Sequence, residues 1–222
     1  MQARLSSTRF PGKMLCLLGT IPLVEYVYRR CCHAEVDSVA VITSKETSDD
    51  PLYRFCMEHD IPVFRGELYD VLDRYIQAAR QFNSDVICRV CGDSPFVDID
   101  CINKMFYECA HEPSREYMTI TNCLHGFRSE IIHIKTLEHV WACTDSRDDR
   151  EHVTRYIVNN LNQFNFKIID SQLMPEGLER ITLTIDYPQD LMVANRIIRN
   201  GLDGFGFTSC DVITILKKLE GI

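Results

Sequence analysis

L-Y-D-V-L-D-R-Y-I-Q-A-A-R-Q-F-N-S-D-V-I-C-R-V-C-G-D-S-P, residues 68–95, contains one whole repeat of the pattern that organises this chain. Leu68, Val71, Leu72, Tyr75, Ile76, Ala79 and Phe82 recur at three- and four-residue spacing, which gathers them on one face of a helix. Asp85 to Cys91 is too short and too apolar for a second helix and predicts a strand, closed by the turn Gly92-Asp93-Ser94-Pro95. A helix, a strand and then a polar turn together make one unit of an α/β fold.

Working outward, the same alternation continues. Behind Pro22, which suits a first helical turn, Leu23, Val24, Val27, Tyr28 and Cys31 predict a helix. Ser38 to Thr43 reads as a strand buried on both faces, Leu52, Phe55, Cys56 and His59 as a helix, and Ile61 to Phe64 as a strand. Downstream, a helix is predicted through Ile102, Met105, Phe106 and Cys109, strands at Met118–Thr121 and Ser129–Ile134, and a short helix through Leu137, Val140 and Trp141. A helix from about 150 to 161, strands at 166–169 and 181–185, and helices starting at Gln189 and Cys210 complete the reading. Alternation of this kind implies right-handed crossovers and a mainly parallel sheet with helices on both faces. One domain spanning 1–222 is expected, with a flap or subunit-contact element at about 115–150, where the alternation breaks.

Composition narrows the function. The formal charge is −8 and the cations are scattered, so the footprint demanded by a nucleic-acid backbone is missing and no nucleic-acid partner is expected. Eleven cysteines, an odd number with Cys31 and Cys32 adjacent, fit reduced thiols in a cytoplasmic protein better than a disulfide framework. No window is apolar for long enough to span a membrane. Cys88 and Cys91 have metal or redox spacing but lie on one strand with no second pair, and neither a Walker loop, a zinc-protease helix nor a serine-hydrolase elbow occurs.

Ligands of α/β sheets bind beyond the carboxyl ends of the strands. Asp93 and Asp186 stand there, in G-D-S-P and T-I-D-Y-P, and two converging carboxylates can hold a magnesium ion that bridges phosphates. Each could equally be a turn former or a helix cap. Gly92 lets backbone approach a ligand closely. The stretch 2–13, Q-A-R-L-S-S-T-R-F-P-G-K, offers cations, hydroxyls and a Pro-Gly turn suited to phosphate, the alternative being a solvated terminus. R-D-D-R-E-H, 147–152, reads either as a charged helix start or as a polar site where Arg150 or His152 meets an acceptor.

Five blocks in order, Q-A-R-L-S-S-T-R-F-P-G-K-M-L, F-R-G-E-L-Y-D-V-L-D-R-Y, R-V-C-G-D-S-P-F-V-D, R-E-H-V-T-R-Y-I and L-T-I-D-Y-P-Q-D-L, make the chain resemble the spore-coat polysaccharide SpsF-like cytidylyltransferases, relatives of the CMP-sialic acid and CMP-Kdo synthetases. The resemblance implies a GT-A-like nucleotidyltransferase fold, CTP and a sugar or sugar acid as substrates, Mg²⁺ as cofactor, and release of pyrophosphate. It assigns Arg4, Ser7, Thr8, Arg9 and Lys13 to the triphosphate and Asp93 and Asp186 to the metal. Arg65, Gly66, Asp70, Asp73 and Arg74 are placed beside the nucleotide, and Glu130, Arg150, Glu151 and His152 towards the sugar. It also implies a homodimer through the middle segment. Relatives carry a short apolar strand ahead of Q-A-R, whereas that loop starts here at residue 2, so the central strand of the sheet is expected to be missing. Ser6 replaces a small Gly or Ala and Arg155 a Pro. The alternatives are a GT-A glycosyltransferase, for which D-I-D at 98–100 would be the metal motif, and a non-catalytic nucleotide-binding protein.

Overall fold

The computed structural model describes residues 1–221. A short hairpin, β1 (Leu17–Leu18) and β2 (Ile21–Pro22), leads into α1 (Leu23–Cys31). Then come β3 (Val41–Ser44), α2 (Asp50–Glu58), β4 (Val63–Gly66), α3 (Val71–Gln81), β5 (Val86–Arg89) and α4 (Ile99–His111). The second half runs β6 (Tyr117–Cys123), β7 (Glu130–His133), α5 (Ile134–Cys143), α6 (Arg147–Glu151), α7 (Arg155–Asn159), β8 (Phe166–Leu173), α8 (Pro188–Arg199) and α9 (Ser209–Glu220).

The helices begin where their sequences supply a cap. The Asp70 carboxylate accepts the Asp73 N–H at 2.8 Å to start α3, whose predicted stripe then lies in the core from Val71 to Ala79. Asp98 accepts the Cys101 N–H at 2.6 Å to start α4. Thr208 and Asp211 cap α9 reciprocally, and Gly221, at φ +76°, takes the left-handed position that ends it.

β3 and β4 pair in parallel, while β5, β7, β6 and β8 form a second sheet in that order. Within it β6 and β8 are parallel, but β7 runs antiparallel to both of its neighbours. With the parallel bridges of Gln2 to Ile42 and Cys91, the pairing is mainly parallel, as expected, and β7 is the antiparallel strand within it. The segment expected as a flap or subunit-contact element supplies β6 and β7 to the interior of this sheet, and Ile131, Ile132, Met118 and Ile120 are buried there.

Gln2 joins the two sheets. Its N–H donates to the Val90 carbonyl at 3.0 Å and its own carbonyl accepts the Gly92 N–H at 2.8 Å, while on the other side Ala3 and Ile42 donate to Ile42 and Met1 at 3.0 and 2.8 Å. The central strand expected to be missing is thus represented by residues 1–3. Met1 also lines a second cavity, of about 220 Å³, with apolar groups including Ile42, Ala79, Val86, Cys88, Ile102 and Phe106.

Two further expectations are corrected. The strand predicted at 181–185 is reduced to a single bridge between Thr182 and His125. The helix predicted from 150 to 161 is broken into α6 and α7 by Val153, which adopts φ +45°. All eleven cysteines are free thiols, and among the described residues no helix is long and apolar enough to cross a membrane.

Candidate active site

The stretch 2–13 is an ordered loop rather than a solvated tail. The Leu5 N–H donates to Asp49 Oδ1 at 2.6 Å, and Asp49 is itself fully buried and held by the Ser44 hydroxyl. At the far end Gly12, at φ +74°, turns the chain so that its N–H reaches the Leu5 carbonyl at 2.9 Å. Closing the loop on itself leaves Ser7, Thr8 and Arg9 at its outer edge and sends Lys13 inward.

Lys13 organises the site. Its ammonium donates to Asp93 Oδ2 at 2.7 Å, to the Ile185 carbonyl at 2.6 Å and to Asp186 Oδ1 at 3.3 Å. Arg9 reaches the same Asp186 oxygen at 2.7 Å. The two aspartates, 93 positions apart in sequence, are tied through backbone as well, because the Ile185 N–H donates to the Asp93 carbonyl at 2.8 Å. Asp190 accepts the N–H groups of Asp186 and Tyr187 at 2.9 and 2.8 Å, which fixes the turn carrying Asp186 at the start of α8. Gly92 is required where it stands, since a Cβ there would lie 2.9 Å from the Gln2 carbonyl oxygen and 3.1 Å from Met14 Sδ.

These groups form one wall of a cavity of about 230 Å³. Arg4 crosses it to pair with Glu151 at 3.3 Å, and His152 lines the same opposite wall. Of the residues predicted from sequence, the cavity brings together Arg4, Ser7, Thr8, Arg9, Lys13, Arg74, Gly92, Asp93, Glu151, His152 and Asp186. Gln2, Ala3, Met14, Val71 and Cys91 also line it and were not foreseen, although Gln2 and Ala3 open the same loop and Cys91 precedes Gly92. Burial pushes the Cys91 thiol above its ordinary pKa, so this neighbour of Asp93 stays protonated rather than nucleophilic.

Arg65, Gly66, Asp70, Asp73, Glu130 and Arg150 lie outside the cavity lining, each held by contacts within the fold. Arg65 donates to the carbonyls of Ser44 and Glu46 at 2.8 and 2.9 Å and pairs with Asp50 at 2.7 Å. Gly66 gives room to Arg74, whose Cγ would lie 2.8 Å from a Cβ there. Arg74 itself, 2% exposed, spends its guanidinium on the carbonyls of Glu67 and Leu68. Asp70 caps α3, and Asp73 accepts from Gln77 at 3.0 Å. Arg150 donates to Asp70 Oδ2 at 3.2 Å and to the carbonyls of Thr144 and Trp141 at 3.0 and 2.8 Å. Glu130 is buried away from the cavity and accepts from Arg89 at 2.5 Å, Tyr117 at 2.6 Å and Thr154 at 3.2 Å. D-I-D is accounted for by the helix cap of Asp98.

An ammonium held between two carboxylates, under a closed loop of cations and hydroxyls, has the charge and donors that suit phosphate. The profile of the cytidylyltransferase family matches residues 1–205. The chain belongs to the cytidylyltransferase family. An uncharacterised protein of Methanocaldococcus jannaschii is 34% identical over 99% of this chain and 88% of its own length. The spore coat polysaccharide biosynthesis protein SpsF of Bacillus subtilis is 28% identical over 98% of this chain and 92% of its own. Among solved structures, a cytidylyltransferase from Leptospira borgpetersenii superposes with a TM-score of 0.92 at 27% identity, covering 99% of this chain and 93% of that one. The nucleotidyltransferase fold expected from the family's blocks is therefore the observed one.

Proposed function

We propose that this member of the cytidylyltransferase family joins the cytidylyl group of CTP to a hydroxyl of a sugar or sugar acid, giving a CMP-sugar and pyrophosphate for surface-polysaccharide synthesis. The observation that carries this reading is the position of Lys13, bracketed by Asp93 and Asp186 beneath the loop of Arg4, Ser7, Thr8 and Arg9. In the transfer, the acceptor oxygen bonds to the α-phosphorus as the bond from that phosphorus to the bridging oxygen of the β-phosphate breaks. Negative charge accumulates on the departing pyrophosphate, and cations preorganised in a partly dry cavity stabilise it more than water does. Lys13, Arg4 and Arg9 supply that charge, while Ser7, Thr8 and the loop's N–H groups orient the phosphates. The acceptor hydroxyl gives up its proton to the opposite wall, where His152 is the candidate base.

Magnesium suits the residues present. Asp93 and Asp186 already converge on a single cation, the Lys13 ammonium, and two carboxylates completed by phosphate oxygens are a donor set for a hard divalent ion. Among the described residues no cluster of three or more His, Cys, Asp or Glu offers itself, so the substrate's oxygens would complete the shell. Bound there, Mg²⁺ would neutralise phosphate charge. The test is pyrophosphate release from CTP and Mg²⁺ with a panel of sugars and sugar acids, run beside the other nucleoside triphosphates. Turnover with CTP supports the reading, and a protein that binds and turns over no nucleoside triphosphate refutes it.

A further inference from the structure

Helix α6 has five residues, and Ser146 at its start makes no side-chain cap hydrogen bond, so it is too short to hold itself in place. Yet it presents Glu151, and immediately after it His152, to the cavity. Something outside the helix fixes it. On its outer side Arg150 is anchored to Asp70 and lies over the Trp141 ring at 4.4 Å. Its inner end is more unusual. The Thr154 N–H donates back to the His152 carbonyl at 2.5 Å across Val153, a β-branched residue at φ +45° that is completely buried. L residues avoid this left-handed conformation, β-branched ones most of all, and it persists only where the surroundings over-determine it.

The over-determining contact comes from Thr154, whose hydroxyl donates to Glu130 Oε2 at 3.2 Å, and Glu130 is locked from the other side by Arg89 on β5 and Tyr117 on β6. A buried ion pair of this kind contributes little net stability compared with apolar packing, whereas it does impose a direction. We propose that Glu130 is a positioning residue: through Thr154 it holds the turn at Val153, and the turn sets where Glu151 and His152 face the acceptor. The chain of contact runs from the rigid sheet to the cavity wall without Glu130 touching substrate. The role in turnover rests on the transfer reading above; the placement of His152 does not.

The test uses Thr154→Val, which removes the donor at constant shape, Thr154→Ser, which restores it, and Glu130→Gln. The His152 ring signals, assigned in proton–carbon correlation spectra by comparison with His152→Asn, are followed in the ligand-free protein, together with CTP affinity and steady-state kinetics. Thr154→Val is expected to move the His152 signals and lower kcat by about tenfold or more, as a small misplacement of a reacting group does. CTP affinity stays at the parental value, and Thr154→Ser recovers both signal and rate. Should Glu130→Gln fail to fold, Thr154→Val still decides. The proposal is overturned if the His152 signals of folded Thr154→Val coincide with the parent's, or if kcat falls only alongside CTP affinity. A protein that binds no CTP would refute the transfer reading while leaving the spectral test intact.

Discussion

Lys13 is an unusual lysine. Its side chain is only 8% exposed, and all three of its ammonium contacts are acceptors contributed by two strand ends that are remote in sequence. Replacing it with methionine keeps the stem but leaves Asp93 and Asp186 facing one another without a cation between them. The expected outcome in a pyrophosphate-release assay is a fall in turnover of about 100-fold or more, the scale of losing one preorganised electrostatic contact at a reacting phosphate. Gly92→Ala acts by shape instead. The new Cβ meets the Gln2 carbonyl and two side chains, so a loss of about 1–3 kcal/mol is expected in denaturant melts. The thiols give a third prediction at this scale. Burial pushes Cys31 to about 11 and Cys56 and Cys88 to about 12, so they should resist a thiol reagent at neutral pH until the protein unfolds, while exposed Cys143 and Cys210 react at once. Because those folded pKa values lie above the unfolded value, the stability they contribute is complete below about pH 8.5 and is lost as the pH rises towards 11 to 12. Thermal midpoints across that window check it.

At the scale of elements, Asp98 separates two readings of one motif. As the cap of α4, with its carboxylate on the Cys101 N–H and its side chain buried, Asp98→Ala should cost about 1 kcal/mol of stability and leave CTP affinity unchanged. A metal ligand of a glycosyltransferase would show the reverse. The helices were largely legible beforehand, because stripes such as Val71 to Ala79 recur at the helical period and Pro22 marks where α1 starts. What the period could not reveal was Val153, since nothing in R-E-H-V-T-R-Y signals a left-handed valine; its conformation is imposed by Glu130, 24 residues from the Thr154 it holds. The order of β5, β7, β6 and β8 was hidden for the same reason. Strand order is decided by long-range pairing, and a central antiparallel strand such as β7 has the same apolar run as a parallel one. In the site, the loop and the two aspartates were readable as chemistry, whereas Arg65, Asp70 and Arg150 are as polar as ligand-binding residues but spend their hydrogen bonds on carbonyls and caps.

For the whole molecule, the seam between the two sheets is the decisive feature. Gln2 bridges Ile42 of β3 to Cys91, just beyond β5, and the next residue of its loop but one, Arg4, already stands in the cavity. Strand pairing and the cavity lining are thus a few residues apart on one segment. The alternation that sends Ile87 and Arg89 towards β7 turns the backbone of Val86 and Cys88 towards the apolar cavity beside Met1. The net charge of −8 is no obstacle to a polyphosphate ligand, because Arg4, Arg9 and Lys13 concentrate positive charge where the carboxylates of Asp93 and Asp186 also meet. The central claim, that this meeting point is where a cytidylyl group is transferred, is tested most directly by measuring Mg²⁺-dependent pyrophosphate release from CTP with an acceptor panel, in the parent and in Asp93→Ala. The account predicts release by the parent and its near-abolition in a folded Asp93→Ala. Equal release by both, or release from neither with any nucleoside triphosphate, would contradict it.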